Sequence, residues 1–347
     1  MPEPLDEVLK RTGYRASLDP AYLQGHAPAV LHKDGHTTPE RPSYYGLPAI
    51  KKPEWLWYIP AYFFVGGLSS GAYIVATLAD ILGRPEDRPL VRAGRYLALA
   101  GMLLSPLLLI ADLGRPERFL YMLRVFKPRS LMNLGSWVLT LFGLFTGLAA
   151  VAQALQDLSV RMSALKPIAA LLRVCSWLGI LPAMFIGSYT GLLISATNVP
   201  LWAGNRVLMG PLFFASSMST GMAATRLVGR LFGRVAPESE ARLVRAEELM
   251  LGTELALVVA SLAALRGLAR PLLRGPWARL YQLGGLGMGV LAPLMLQRVG
   301  GARSAAGVAS SLLVLIGGAL ARFAIVEAGK QSADDPYAYF EYTRPER

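Results

Sequence analysis

The 347-residue chain is 53% hydrophobic with a mean hydropathy of +0.40, more apolar than a soluble domain of this length needs for its core, so a bilayer is its natural solvent. Its net charge of +12 does not mark a nucleic-acid binder, because the arginines cluster in short segments between apolar runs, where loop topology and anionic headgroups account for them. The single cysteine, Cys175, excludes an internal disulfide and a cysteine-bound iron–sulfur cluster, which needs about four thiolates.

Residues 1–55 mix proline, glycine and charge without a sustained period and are expected to form a water-exposed N-terminal extension with little helix. The first apolar run is too long for a signal-peptide core, so no cleavable leader is expected. Apolar stretches follow at about 57–82, 94–112, 131–155, 168–194, 200–225, 247–266, 277–298 and 305–327, each near the ~20 residues that cross a ~30 Å hydrocarbon core. Lipid offers the backbone no hydrogen-bond partner, and no ten-residue alternation of a barrel strand appears. The expected fold is therefore an all-α polytopic membrane protein of about eight transmembrane helices.

Glycine-rich runs, Gly66-Gly67-Leu68-Ser69-Ser70-Gly71 and Gly284-Gly285-Leu286-Gly287-Met288-Gly289, predict close helix contacts, the first also leaving room for a ligand. An even span number puts both termini on one side, with the loops after spans 2, 4 and 6. A small excess of Lys and Arg in the odd loops favours that side being outside. Trp55, Trp57 and Tyr58 read as an aromatic belt before span 1, and Trp202 as an interfacial tryptophan at the turn between spans 4 and 5.

His26, His32 and His36 all precede the first span, so no pair of imidazoles is available to hold a haem within the membrane. Neither a Cys-x-x-Cys-His motif, a Walker loop, a nucleophile elbow nor an HExxH pair is present. His32 and His36, four residues apart in a Gly-interrupted polar stretch, read as solvated loop histidines. No metal site or catalytic residue is expected, and redox work would need electrons from another subunit.

Charges inside spans cost a few kcal/mol each, so those that persist face a partner, a cavity or a pathway. Asp80 and Glu327 lie near span ends, within reach of the interface. Asp112 closes span 2 beside Arg115, placed for an ion pair or a turn cap. Glu254 and Arg322 are deeper, either neutralising each other or conducting protons. Tyr189, late in span 4 among small residues, offers a phenol that either marks the membrane interface or hydrogen-bonds a quinone carbonyl.

Four segments carry a resemblance: Gly67-Leu68-Ser69-Ser70-Gly71-Ala72-Tyr73; Asp112-Leu113-Gly114-Arg115-Pro116-Glu117-Arg118-Phe119 with residues 122–132 after it; Tyr189-Thr190-Gly191-Leu192-Leu193 leading to Pro200-Leu201-Trp202; and Gly317-Gly318-Ala319-Leu320-Ala321-Arg322-Phe323. On these the chain resembles the NrfD/PsrC family, membrane subunits of polysulfide-reductase-like complexes. The resemblance implies two four-helix bundles, residues 56–195 and 196–329, followed by a polar tail at 330–347. It implies a quinone or quinol, menaquinone or ubiquinone, bound in the first bundle near Tyr189, Asp112 and Arg115. Some relatives carry a histidine near the start of span 1; here Tyr58 and Tyr62 are the available hydroxyls, and Tyr62 is the one expected in the site. Glu254 and Arg322 are the matching candidates for proton movement in the second bundle. An iron–sulfur subunit, and through it a molybdopterin-type catalytic subunit, would dock on the side of the Asp112–Arg129 loop. The competing functions are a secondary transporter using the intramembrane Glu and Arg and a structural anchor with a degenerate quinone pocket.

Overall fold

The computed structural model describes residues 50–159, 165–232, 235–299 and 304–343. Most of the expected N-terminal extension, with His26, His32 and His36, lies outside the described residues. The described residues contain helices and no strand. They form α1 (Tyr58–Leu82), α2 (Arg88–Ala111), α3 (Leu131–Ser159), α4 (Lys166–Trp177), α5 (Ile180–Ser195), α6 (Met209–Phe232), α7 (Pro237–Leu265), a π-helical stretch (Leu280–Leu291) running into α8 (Ala292–Val299), then α9 (Ala305–Asp334) and α10 (Pro336–Thr343).

Among the described residues, five segments are long and apolar enough to cross a bilayer: Tyr58–Leu82, Pro85–Ala111, Leu131–Leu158, Pro237–Arg274 and Ala305–Asp334. α4 and α5 make a sixth, bent by 40°. The remaining two expected spans are also helical, but neither is one long apolar rod. α6 is diluted by Ser216, Ser217, Ser219, Thr220 and Thr225, all buried, and the seventh is divided where the π-helical stretch meets α8. The chain is an all-α, multi-pass membrane protein.

Several boundaries differ from the apolar limits for local reasons. The fifth span begins at Met209 rather than 200, because Pro200–Ala203 forms a separate short helix that ends at Gly204. The sixth begins ten residues early, at Pro237: proline at the first turn with Glu238 and Glu240 behind it is a favourable helix start, and the polar turns continue the apolar one. The break in span 4 follows from Pro182, which has no N–H to bond the carbonyl one turn back and whose ring crowds it. The Leu178 carbonyl, which Pro182 leaves without its usual donor, accepts from the Leu181 N–H (3.4 Å), and at the same break the Ser176 carbonyl accepts from the Gly179 N–H (3.0 Å) and the Tyr73 hydroxyl of α1.

α6 lies at the centre, packed on α1, α2, α5, α7 and α9. Its closest approach is to α1 at Gly71 and Gly221, where a Cβ on either residue would overlap the other helix's backbone. Glycine is thus required there by contact. The exterior inverts a soluble protein's pattern: Leu103, Leu107, Leu144, Leu171, Leu181 and Leu283 stand exposed on the helices, whereas Ser69, Ser70 and Ser105 are fully buried. With lipid as solvent, leucine gains little from burial, and the serines instead donate across helices, Ser69 to the Ala98 carbonyl (2.7 Å) and Ser70 to that of Ala183 (2.6 Å).

Asp80 does not turn outward to the interface as its position near the end of a span implied. Its carboxylate is held by Arg95 (2.7 Å), Arg173 (2.7 Å) and the Trp177 indole N–H (2.9 Å), tying α1 to α2 and α4. Replacing Asp80 with Ala strands the Arg95 guanidinium, whose side chain is 3% exposed. Asp80→Ala is expected to cost about 3–5 kcal/mol, read as a lowered unfolding midpoint of the protein purified in detergent, and an unchanged midpoint would refute the assignment.

Candidate functional site

Two polar centres within the membrane-spanning region contain the residues singled out in the sequence. The first joins Tyr62 of α1 and Tyr189 of α5, 2% and 4% exposed, whose phenols are close enough to interact electrostatically. No hydrogen bond joins either hydroxyl to the described residues, and neither oxygen is among the fully buried polar atoms left without a partner, so each borders accessible space. Small residues make room for both rings. Gly135 of α3 faces the Tyr189 phenol so closely that a Cβ would overlap it, and a Cβ at Gly66 would sit 3.3 Å from the Tyr62 ring and 3.6 Å from Ser105 Oγ. Phe185 stacks on Tyr189, with centroids 5.3 Å apart and planes 21° apart. Tyr58, the alternative hydroxyl, instead packs its ring against exposed Trp57 (4.4 Å).

Asp112 and Arg115 are not paired with each other. Asp112 caps the end of α2 and accepts a hydrogen bond from the Leu56 N–H (3.2 Å). Burial pushes its carboxyl above the ordinary carboxylate range, against the Leu56 hydrogen bond and the Lys330 ammonium, which favour the charged form. Arg115 is exposed at the start of the 3₁₀ turn Pro116–Arg118. The loop beyond it is tethered by Asn133, which donates to the Met122 (2.6 Å) and Val125 (3.0 Å) carbonyls and accepts from the Lys127 N–H (2.7 Å).

The second centre contains Glu254 of α7 and Arg322 of α9, 7% and 2% exposed. Rather than meeting in a direct ion pair, they are joined through α6. Arg322 Nη1 donates to Ser216 Oγ (2.9 Å), and the Ser216 and Ser219 hydroxyls hydrogen-bond the Glu254 carboxylate. Arg322 Nε also donates to the Phe63 carbonyl of α1 (3.1 Å), and its guanidinium lies 5.4 Å from the Phe213 ring centroid. Gly67 lies close beside it: a Cβ there would be 2.5 Å from Ser217 Oγ and 3.2 Å from Arg322 Nη2. A cavity lined by Ser216, Glu254, Tyr281 and Arg322 has room for about two water molecules.

Two further ionisable residues were not legible as intramembrane groups. Arg226 of α6 and Glu247 of α7 are 1% and 0% exposed and 3.4 Å apart, with Gln297 and Ser311 completing the cluster. The signal was the seven-residue spacing of Glu247 and Glu254, two helical turns on one face. Trp55 and Trp202 do not form interfacial belts. Trp202 is fully buried, donating its indole N–H to the Ile325 carbonyl (2.9 Å), and Trp55 stacks on it at 5.5 Å.

This geometry defines a polytopic helical membrane protein with a phenol pair in its first half and a serine-linked Arg–Glu pair in its second. Residues 50–333 match the family model for polysulphide reductase, NrfD, and the chain belongs to that family. It is 30% identical over 303 residues to the C subunit of polysulfide reductase from Wolinella succinogenes, covering 80% of this chain and 94% of the relative. It is 28% identical to protein NrfD of Escherichia coli strain K12, covering 70% and 84%. Against the NrfD homolog of Haemophilus influenzae the identity is 27%, covering 70% and 82%.

Arg322→Lys keeps the charge but not the planar fork that reaches Phe63 and Ser216 together. Losing one of these charged hydrogen bonds is expected to cost about 1.5–3 kcal/mol, measured by denaturation in detergent; a variant as stable as the native protein would show that the fork is not what ties α1 to α9.

Proposed function

We propose that this chain is the membrane anchor and quinone- or quinol-binding subunit of a multisubunit oxidoreductase, exchanging electrons between a partner iron–sulfur subunit and the quinone pool. The observation that carries the reading is the Tyr62–Tyr189 pair: two largely buried rings from different helices, within electrostatic reach of each other, whose hydroxyls make no hydrogen bond to the described residues. Two uncommitted hydroxyl donors bordering accessible space suit a headgroup with two carbonyl oxygens, each of which accepts a hydrogen bond. Menaquinone or ubiquinone, when bound, supplies the two-electron, two-proton chemistry. The protein's part is to hold the headgroup by Tyr62 and Tyr189 in the bundle of residues 56–195, to exclude water through the packed rings, and to pass protons locally by way of Asp112. Arg115, exposed three residues beyond Asp112, completes the proposed quinone-binding set.

The family and the name of the Wolinella relative, a subunit of a polysulfide reductase, support membership of a respiratory complex. The face bearing the Asp112–Arg129 loop, the Asn198 turn and the described chain ends is the docking side for a ferredoxin-like iron–sulfur subunit, and through it a molybdopterin-type catalytic subunit. Leu120, Tyr121 and Phe126 stand 56%, 63% and 57% exposed on that loop, apolar surface of the kind a partner covers. By the positive-inside rule this face lies outside a cell (inner) membrane. Glu254 and Arg322, in the bundle of residues 196–329, serve proton movement. Their cavity, with room for about two waters, is too small for an organic solute, so it does not favour a transporter.

Tyr189→Phe and Tyr62→Phe each remove one hydrogen bond to the headgroup. Each is expected to weaken the apparent affinity for quinone by roughly two- to tenfold, the equivalent of ~0.5–1.5 kcal/mol, and to alter sensitivity to quinone-site inhibitors. Unchanged quinone-linked turnover in both variants would refute the site. Purification from native membranes is expected to bring down a cysteine-rich partner with cluster absorbance. Recovery of the polypeptide alone, fully active in quinone chemistry, would overturn the anchor role.

A further inference from the structure

A second, smaller cavity adjoins the one at Glu254, and Leu212, Tyr281 and Ile325 line both. It has room for about one water and is lined by Asn205 and Ser261, 4% and 3% exposed. Asn205 Oδ1 and Ser261 Oγ are both buried without a hydrogen-bond partner. Two orphaned polar atoms in one cavity are the arrangement that an internal water satisfies. Ser261 follows Glu254 by two turns on one buried face of α7, about 10 Å along the helix. Asn205 belongs to the turn between α5 and α6, on the side of the membrane that carries Asp112. Tyr281, between the two cavities, is within electrostatic reach of Glu254.

We infer that Glu254 exchanges its proton with the Asp112 side of the membrane through a hydrated branch past Tyr281, Ser261 and Asn205. Ser216 and Ser219 of α6 and Arg322 of α9 hold the carboxyl in place from the other elements packed on it. The branch needs no cofactor and leaves Glu247, on the far half of α7, outside the route. It deepens the proton-movement part of the function proposed above but does not depend on quinone chemistry.

Infrared spectroscopy of the full-length protein in its native complex, exchanged from H2O into D2O, tests this directly. Glu254→Gln identifies the carboxylic-acid band of Glu254 by its loss, sought from about pH 5 to about pH 9. In the native protein that band is expected to shift promptly in D2O. Ser261→Val and Asn205→Leu, which fill the smaller cavity with apolar atoms, are expected to slow the shift by about tenfold or more. Gln297→Leu, beside Glu247, is expected to leave it as in the native protein. The inference fails if neither cavity-filling variant slows exchange, if Gln297→Leu slows it as much as they do, or if no acid band is lost in Glu254→Gln. Any of these results leaves the Tyr189 site standing, because that rests on quinone-linked turnover. Prompt exchange combined with full turnover of Glu254→Gln would keep the branch while removing Glu254 from the reaction.

Discussion

A guanidinium with 2% of its surface exposed holds the two halves of this protein together. Arg322, near the middle of α9, reaches the Phe63 carbonyl of α1 and two serines of α6, so one side chain joins helices from the beginning, middle and end of the sequence. In hydrocarbon a charge without such partners costs several kcal/mol, which makes its surroundings inflexible. Gly67 has to be small, Ser216 has to face inward, and Glu254 has to sit on the other side of Ser216. The polar interior of α6 follows from these demands, and so does the reduced apolar content that distinguishes it from its neighbours.

The same constraint gathers other buried charges into clusters. Asp80 with Arg95 and Arg173 serves the first half, and Arg226 with Glu247 and Gln297 serves the second. The Tyr62–Tyr189 pair differs in kind, because its hydroxyls make no hydrogen bond to the described residues yet are not sealed among the fully buried orphans. A donor left open in this way is a place for something brought from outside. Arg322 bonds the carbonyl of the residue next to Tyr62, which places the two centres within one helical turn of each other on α1.

Helix content and most span positions were legible because apolar run length reports directly on bilayer thickness. α1 and the start of α3 match the expected limits closely. The fifth span was misplaced by nine residues because Pro200-Leu201-Trp202-Ala203 is apolar but folds as a buried short helix, and hydropathy cannot separate core from lipid contact. Trp202 failed for the same reason: an indole beside a turn reads as interfacial unless its long-range partner, the Ile325 carbonyl, is known. Glu254 and Arg322 were legible as buried charges, but their serine link was not, since Ser216 is far from both in sequence. Tyr189 stood out by its small neighbours and Tyr62 through family resemblance, and only their three-dimensional placement shows that Gly135 and Gly66 make the space their rings fill.

The described ends of the polypeptide meet. Lys52 pairs with Asp334, Lys330 donates to the Trp55 carbonyl, and Trp55 lies flat on Trp202 against α9. The segment ahead of α1 therefore gains these ion and carbonyl contacts only once α9 is in place. A product truncated before α9 lacks this clasp, and its stacked Trp55 and Trp202 lose the Ile325 carbonyl that receives the Trp202 indole N–H.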